Sequence, residues 1–331
     1  MKLIRTEDAV GSVLCHDLTR IIPGVEKGPV FRKGHIVTEE DIPVLLSIGK
    51  EHLYVWEKDD TMYHENEGAE ILRDLCMNDY MTATEPKEGK ISLQADVRSV
   101  LKVDHDRLIH VNSVGEAMIA TKRGDTLIEP RQVFAGMRVI PLVIRKTKME
   151  EIRKAAGEGP LLKLLPLKSK KAAILATGSE IYKGRIEDAF TPVVEKKLAD
   201  LGSTVMDKKI LDDNAPVTTE TILEEIQKGA EIICVTGGMS VDPDDKTPLA
   251  IRNTGADVIS YGAPVLPGAM LMLAYFHKKE GDGEKIIPIV GLPGCVMYAK
   301  RTVFDLVLPR LLADDPVSAS DIAGMGEGGL I

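Results

Sequence analysis

A glycine pair, a serine and three aspartates follow one another within residues 237–245, in the order GGMSVDPDD. Consecutive backbone N–H groups in a glycine turn can hold phosphate oxygens, and carboxylates a few residues later can hold a divalent cation against them. The apolar residues 232–235 predict a buried strand that leads into this turn. The alternative, a strand that ends in an acidic surface loop, is the better interpretation of an isolated glycine pair.

An alternation of apolar runs in the second half of the chain predicts the strands and helices that position this turn. Strands are predicted over residues 172–176, 204–211, 231–236 and 286–290, and helices over 187–201, 216–228 and 303–312. This alternation predicts an α/β fold with a parallel sheet and right-handed crossover connections.

The carboxyl ends of the predicted strands carry short polar or glycine-containing segments: Thr177-Gly178, Asp212-Asp213, Gly237-Gly238 and residues 291–294. Ligands of open α/β sheets bind beyond the carboxyl ends of the strands. We therefore expect these segments to form one shared site, which favours the phosphate-binding interpretation of the glycine pair.

The motifs TGSE at 177–180, GRIED at 184–188, LDDN at 211–214 and GLPG at 291–294, together with the glycine turn, resemble those of a known family. They are similar to the molybdopterin-binding domain family, which includes molybdopterin adenylyltransferases and molybdopterin molybdenumtransferases. The resemblance covers roughly residues 170–312. It implies a three-layer parallel-sheet molybdopterin-binding domain over residues 168–314.

The resemblance implies a role in molybdenum cofactor biosynthesis, with binding of molybdopterin or its adenylate and Mg²⁺-assisted insertion of molybdate. The catalytic residues it implies are Asp245, Glu180 and Asp212, and the Mg²⁺ ligands are Asp245, Asp212 and Asp213. The residues it implies for molybdopterin binding are Thr177, Gly178, Asp188, Gly237, Gly238, Ser240, Pro293 and Gly294.

Several of these residues have plainer interpretations. One residue of 212–214 is expected to cap the helix that begins near Pro216, and Asp188 is equally well explained as a helix cap. Glu180 could be an exposed loop acid, and Pro293-Gly294 a simple turn. Cys295 could contact a dithiolene or molybdenum, although packing is the more common role of such a cysteine.

The function also has alternatives. The pattern T-G-x-E and the first 49 residues resemble the molybdenum-inserting branch, whereas residues 243–248 are closer to the adenylyltransferase branch. Phe190, Asp242 and Cys295 replace residues that are usual in the family, which favours a non-catalytic carrier or sensor. A molybdopterin adenylyltransferase or nucleotide pyrophosphatase is a further alternative.

The composition of the 331 residues narrows the class of partner. A net charge of −9 and an aromatic content of 4% argue against a nucleic-acid or anionic-membrane surface, and no apolar run is long enough to span a bilayer. The first eight residues lack the apolar core of a signal peptide, so a cytoplasmic protein is expected, and we also expect a homo-oligomer. The four cysteines are too dispersed for a zinc or disulfide framework.

The first half predicts a separate accessory region over residues 1–165, mixed α+β in class, with a β-rich module at about 90–145. Helices are expected near 38–48 and 67–77, with a strand over 52–56. Residues 315–331 are expected to form a flexible tail. The region 168–314 is long enough to fold alone.

Overall fold

The computed structural model describes residues 2–22, 26–55, 60–239, 246–281 and 283–330, which belong to two compact units. The first unit comprises residues 1–96, 102–123 and 130–164, and the second comprises 97–101, 124–129 and 165–331. The main division therefore lies next to the expected boundary. The second unit nevertheless includes two short segments that the sequence analysis had assigned to the accessory region.

The first half of the chain consists of short strands and helices. They are β1 Lys2–Arg5, β2 Leu18–Ile22, β3 Glu26–Phe31, α1 Asp41–Ser47, β4 His52–Val55, β5 Met62–His64, α2 Glu65–Asp74, β6 Met81–Ala83, β7 Lys90–Ala95, β8 Ser99–Val103, α3 His105–Val114, β9 Ala117–Thr121, β10 Thr126–Ile128, β11 Val133–Val139, β12 Val143–Arg145, α4 Lys146–Ala156 and β13 Leu162–Pro166. A 3-10 helix covers Thr6–Asp8. Helix α3 was not predicted from the sequence.

The strands of the first unit pair antiparallel. β1 pairs with β4, β2 with β3 and β5 with β12, and a four-stranded sheet has the order β6-β7-β11-β9. Leu14, Leu18, Leu45 and Leu53 form part of one buried cluster in residues 9–55. Strands β8 and β10, most of which belong to the second unit, pair antiparallel with each other.

The second half begins with a strand at Lys171 and alternates strands with helices. The elements are β14 Lys171–Thr177, α5 Ser179–Tyr182, α6 Phe190–Asp200, β15 Thr204–Leu211, α7 Ala215–Lys228, β16 Ile232–Thr236, α8 Thr247–Asn253, β17 Asp257–Tyr261, β18 Met272–Glu280, β19 Gly283–Leu292, α9 Val303–Leu312 and α10 Ala319–Gly324. A 3-10 helix covers Gly294–Met297. The predicted strands and helices of this half are present, with ends that differ by a few residues.

One six-stranded sheet organises the second unit, in the order β15-β14-β16-β19-β18-β17. The first four strands are parallel, as the sequence analysis expected. The sequence analysis predicted neither β17 nor β18. Strand β18 is antiparallel to β19, and β17 is antiparallel to β18, so the sheet is mixed at this edge. The physical reason is the short connection between β18 and β19, because a tight turn can join only antiparallel neighbours.

Helices cover both faces of this sheet, which makes the unit three-layered. Ala172 and Ile174 face a cluster that includes side chains of α6, α9 and α10. Ala173 and Leu175 face a second cluster that includes side chains of α7 and α8. The alternation along β14 follows from the two-residue period of a strand, and it explains why residues 172–176 are all apolar.

The segment expected to be a flexible tail contains helix α10 instead. Ser318 caps it, with Asp321 reaching back to complete a capping box. Ile322 is buried in the cluster of α6 and α9, and Asp321 lies 3.1 Å from the buried guanidinium of Arg310. The polar composition of this segment therefore reflects helix capping and ion pairing.

Within the described part of the chain, no helix is long and apolar enough to cross a membrane. The four cysteines are free thiols.

Candidate functional site

Three strand ends of the second unit meet at one edge of the sheet. The Gly178 amide, just after β14, donates to the carbonyl of Leu211 at the end of β15 over 3.1 Å. The Thr177 hydroxyl donates to the carbonyl of Thr236 at the end of β16, also over 3.1 Å. The sequence prediction that Thr177-Gly178, Asp212-Asp213 and Gly237-Gly238 lie together at the carboxyl ends of the strands is thus borne out by the register of the sheet.

Ser179 holds the two aspartates at this edge. Its backbone amide donates to Oδ2 of Asp213 over 2.8 Å, and its hydroxyl lies 2.7 Å from Oδ1 of Asp212 and 3.0 Å from Oδ2 of Asp213. The Asp213 amide donates to Oδ1 of Asp212 over 3.0 Å. These bonds use one oxygen of each carboxylate, so the second oxygen of each has capacity to accept from a ligand or to coordinate a cation.

Asp212 is held in its ionised form. Donation from the Ser179 hydroxyl and the Asp213 amide lowers the pKa of Asp212 below its ordinary value of 3.8, and the nearby ammonium groups of Lys183 and Lys246 lower it further. Hydrogen bonds and cations that favour the charged form produce this direction of shift. The edge therefore combines an anionic group with two exposed lysines.

The glycine turn after β16 fits against β14 so closely that side chains are excluded. Gly237 has a φ of +83°, and a Cβ there would lie 2.0 Å from the carbonyl oxygen of Thr177. Gly238 has a φ of +54°, and its Cβ would lie 2.8 Å from the Thr247 hydroxyl. That hydroxyl is 3.1 Å from the hydroxyl of Thr177, and the Thr247 amide donates to the Gly238 carbonyl over 3.2 Å. Glycine is therefore required here by the close approach of the turn to β14, and the approach of a ligand to the same turn stays a prediction.

Glu180 lies in the first turn of α5 and is exposed. Its Oε2 is 3.6 Å from the position that a Cβ on Gly178 would occupy, so the carboxylate lies beside the glycine at the end of β14. The structure thus places Glu180 at the same edge as the aspartate pair. Its role as a ligand remains a prediction.

The helix-cap interpretations of two polar residues agree with the structure. Asp188 accepts from the amides of Phe190 and Thr191, over 2.9 and 3.0 Å, at the start of α6. Asn214 accepts from the amide of Val217 at the start of α7, which leaves Asp212 and Asp213 free of that task. Asp188 is therefore occupied by capping, and a contact with the pterin remains a prediction.

The segment after β19 forms a 3-10 turn. Pro293 is buried, whereas Gly294 is exposed, and a Cβ on Gly294 would have no atom of the described residues within 4 Å. No contact within the described protein therefore requires a glycine at position 294. Cys295 is half-buried, and burial raises the pKa of its thiol.

Ser240 and Asp245, the predicted phosphate-binding and catalytic residues of the glycine turn, lie outside the described residues. Among residues 2–22, 26–55, 60–239, 246–281 and 283–330, no group of three or more His, Cys, Asp and Glu side chains is arranged to hold a metal ion. Asp212 and Asp213 nevertheless supply the hard oxygen donors that Mg²⁺ prefers, and Mg²⁺ commonly takes one or two carboxylates together with phosphate oxygens and water. The donor chemistry of the aspartate pair therefore fits Mg²⁺.

The sequence analysis assigned no role to four residues at this edge: Ser179, Lys183, Lys246 and Thr247. Ser179 lies inside the quoted TGSE motif, and its position directly after a strand end could have marked it as a partner for the aspartates. The lysines and Thr247 carry no local signal, because their proximity to Asp212 and Thr177 arises only from the folding of the sheet.

Comparisons with known proteins agree with this picture. Residues 173–313 match a family described as "probable molybdopterin binding domain", and residues 3–57 match a domain of unknown function. A CinA-like protein of Thermosipho melanesiensis is 28% identical over 110 residues, which is 33% of this chain and 27% of that protein. The chain therefore covers about a quarter of the length of this relative.

Two solved structures are also similar to part of the chain. The tungsten cofactor synthesizing protein MoaB from Pyrococcus furiosus has 20% identity and a TM-score of 0.34, covering 44% of this chain and 89% of that one. A CinA protein of unknown function from Thermoplasma acidophilum has 16% identity and a TM-score of 0.29, covering 38% and 89%. The family resemblance that the motifs indicated is supported by the match of residues 173–313 to the molybdopterin-binding domain.

Proposed function

We propose that the second unit binds molybdopterin or its adenylate at the carboxyl edge of the sheet, and that the protein inserts molybdate into the bound pterin with the help of Mg²⁺. The observation that carries this proposal is the aspartate pair fixed by Ser179 next to the close turn at Gly237-Gly238. Two carboxylates held side by side repel each other, and a divalent cation relieves that repulsion. Such a pair beside a glycine turn suits a ligand that carries phosphate.

Each group at the edge has a separate task in this proposal. The amides of Gly237 and Gly238, with the Ser240 hydroxyl, bind phosphate oxygens. Lys183 and Lys246 add positive charge for the same phosphates. Asp212, Asp213 and Asp245 would hold Mg²⁺, which supplies neutralisation of charge on pyrophosphate or molybdate oxygens when it is bound.

The remaining residues of the site would orient the ligand. Thr177 and Gly178 lie at the end of β14 and would form the base of the binding site. The exposed Glu180 beside them would contact the metal, a water molecule or molybdate. Pro293 and Gly294 would shape the wall for the pterin, and the open space at the Cβ position of Gly294, among the described residues, leaves room for it. We also expect the protein to assemble as a homo-oligomer, which light scattering on the purified protein tests.

A non-catalytic carrier is the second candidate, and one observation favours it. Phe190 stands where the family usually has asparagine, and in this protein it is buried in the cluster between α6 and the sheet. A polar contact with the ligand at that position is therefore replaced by packing. The two candidates differ only in turnover, because both require molybdopterin binding at the same edge.

A titration of molybdopterin adenylate, followed by the intrinsic fluorescence of the pterin, tests binding. Affinity should rise when Mg²⁺ is added, and equal, negligible binding with and without Mg²⁺ would contradict the proposal. Incubation with molybdate then separates the candidates, because an inserting enzyme releases the nucleotide with formation of the molybdenum cofactor and a carrier does not. Asp245→Asn should slow that reaction by ~10²-fold or more while changing stability by no more than about 0.5 kcal/mol.

A further inference from the structure

Thr247, the first residue of helix α8, contacts the glycine turn in two ways and the end of β14 in a third. Its amide donates to the carbonyl of Gly238 over 3.2 Å. Its hydroxyl oxygen is 2.8 Å from the position that a Cβ on Gly238 would occupy, and 3.1 Å from the hydroxyl of Thr177. Thr247 is buried, so these contacts are shielded from water. The start of α8 is therefore attached both to the turn after β16 and to β14.

The contact between the two hydroxyls has a defined direction. A threonine hydroxyl has one proton to donate, and that of Thr177 goes to the carbonyl of Thr236 over 3.1 Å. Thr247 must therefore donate to Thr177, which gives a chain of hydrogen bonds from α8 through β14 to β16. All three threonines are buried, and a buried polar group that loses its partner costs free energy. The chain therefore resists displacement of Thr247.

The bond from the Thr247 amide fixes the orientation of the peptide group between Gly238 and Met239. A trans peptide is planar, so its C=O and N–H bonds point in opposite directions. The Gly238 carbonyl points to the start of α8. The N–H of Met239 therefore points away from that helix, and it follows the amides of Gly237 and Gly238 along the chain.

The other groups of Met239 are held in place by the protein. Its side chain is buried, and a Cβ on Gly291 would lie 2.7 Å from its Sδ, so the thioether packs directly on β19. The Tyr261 hydroxyl lies 3.5 Å from the Met239 carbonyl oxygen, at the outer limit of a hydrogen bond. Met239 therefore has little freedom to turn its N–H towards a different acceptor.

The three amides of the turn are unpaired within the part of the protein that the structure describes. No oxygen of those residues accepts from the N–H of Gly237, Gly238 or Met239. Backbone N–H groups of buried residues are nearly always paired, and Met239 is only 4% exposed. Successive N–H groups in a turn can form a concave site that binds an anion. The Met239 amide is therefore available to an oxygen of a bound anion.

We propose that Thr247 is a positioning residue of the ligand site, and that the N–H group it orients, that of Met239, donates to a phosphate oxygen of the ligand. The inference rests on the proposed function, which places phosphate at this turn, and it adds a third amide to those of Gly237 and Gly238. Thr247 acts through the peptide and does not touch the ligand, because its amide and its hydroxyl both donate within the protein.

Nuclear magnetic resonance of the full-length protein tests the Met239 amide directly. Nitrogen-15 labelling of methionine alone gives a simple spectrum, because the chain contains 13 methionines. Met239→Leu, which conserves the side-chain volume, identifies the peak of residue 239. Inorganic pyrophosphate with Mg²⁺ should move the proton resonance of this peak downfield and to saturation, as a new hydrogen bond does. A peak that stays in place up to ~10 mM pyrophosphate would overturn the proposal.

Variants of Thr247 test the positioning role by calorimetric titration with the same probe. Thr247→Val removes the hydroxyl and puts a larger methyl group beside Gly238, and it should weaken pyrophosphate binding at least fivefold. Thr247→Ser keeps the hydroxyl and should bind within twofold of the wild type. Thr254→Val is the matched control, because Thr254 is a buried threonine just after α8 whose hydroxyl donates to the Ile251 carbonyl over 2.6 Å. It should also bind within twofold of the wild type.

Urea unfolding of each variant separates positioning from stability. If Thr247 only stabilises the fold, Thr247→Val and Thr254→Val will both lose stability and both keep their affinity, which would overturn the positioning role. Thr247→Ala removes the hydroxyl without adding a methyl group beside Gly238, and it replaces the valine variant if that variant does not fold. The same fivefold loss is expected of it, and an unchanged affinity would count equally against the proposal.

Molybdopterin adenylate distinguishes this inference from the proposed function. Binding of the adenylate with an unmoved Met239 peak would contradict the role of this amide and leave the proposed function standing. Movement of the peak with pyrophosphate, without any binding of the adenylate, would support the role of the amide and contradict the proposed function.

Discussion

The amide of Ser179 donates to Oδ2 of Asp213 over 2.8 Å, and so fastens the start of α5 to the end of the neighbouring strand β15. The Ser179 hydroxyl has one proton for two acceptors, Oδ1 of Asp212 at 2.7 Å and Oδ2 of Asp213 at 3.0 Å. One residue thus sets the separation of two carboxylates that follow a different strand, β15. In this account, Ser179 positions the metal ligands without itself touching the metal.

Replacement of Ser179 by alanine should raise the pKa of Asp212 towards 3.8, because the hydroxyl is the principal cause of its lowered value. Because the pKa of Asp212 is lower in the folded than in the unfolded protein, its ionised carboxylate stabilises the fold fully at pH values above the unfolded-state pKa. This stabilisation is lost as the pH falls through the folded-state pKa. The loss of stability at acidic pH that is due to Asp212 should therefore be smaller in the variant. Carbon-13 titration of the aspartate side chains measures the shift, and Ser113→Ala, which removes a hydroxyl from helix α3, is the control. An unchanged pKa of Asp212 would contradict this assignment.

Replacement of Gly237 by alanine should destabilise the protein by several kcal/mol. The left-handed conformation costs a non-glycine residue roughly 1–2 kcal/mol, and the new Cβ would in addition lie 2.0 Å from the Thr177 carbonyl oxygen. Gly202 has the same φ of +83° with no atom within 4 Å of its Cβ position, so Gly202→Ala should show only the conformational cost. Urea unfolding of both variants gives the difference. Equal losses would mean that the close approach at Gly237 has no energetic consequence.

Replacement of Asp188 by alanine separates its two interpretations. Loss of the bonds to the amides of Phe190 and Thr191 should cost about 1 kcal/mol of stability, as for other helix caps. If capping is its whole role, Asp188→Ser should restore the stability, and both variants should bind molybdopterin like the wild type. A loss of affinity in the serine variant, with stability retained, would instead establish a contact with the ligand.

The isolated second half should be more stable when the chain continues beyond residue 314. Arg310 has 3% of its side chain exposed and pairs with Asp315 and Asp321. A fragment of residues 168–314 lacks both carboxylates, and an uncompensated buried charge costs about 3–5 kcal/mol. Residues 168–331 should therefore unfold at a clearly higher urea concentration than residues 168–314. Identical midpoints would show that these ion pairs do not contribute to stability.

The sequence predicted the parallel part of the sheet well. Its central strands β14 and β16 are apolar runs bounded by glycine or polar residues, whereas β15 also carries Asp207, Lys208 and Lys209. The sequence did not predict β17 and β18. In β18 an apolar beginning, Met272 to Tyr275, passes into the charged residues 278–280, so neither a helical nor a strand period dominates. The antiparallel pairing of β18 with β19 is decided by tertiary contacts.

The candidate site was predictable to a similar degree. The aspartate pair and the glycine turn were identified because strand ends of a parallel sheet converge, which is a general property of the fold. The hydrogen bond between Ser179 and Asp213 joins residues 34 positions apart, and the contact between the hydroxyls of Thr177 and Thr247 joins residues 70 positions apart. No local sequence pattern predicts such contacts, because they depend on side-chain geometry in the folded protein.

The central claim is tested most directly by the Mg²⁺ dependence of molybdopterin adenylate binding in the double variant Asp212→Asn/Asp213→Asn. Asp200→Asn, which replaces an exposed aspartate at the end of α6, is the matched control. The wild type and the control should bind the adenylate at least tenfold more tightly with Mg²⁺ than with EDTA, and the double variant should show the same weak affinity under both conditions. A double variant that keeps the full response to Mg²⁺ would contradict the assignment of the aspartate pair, and a wild type without any response would contradict the account as a whole.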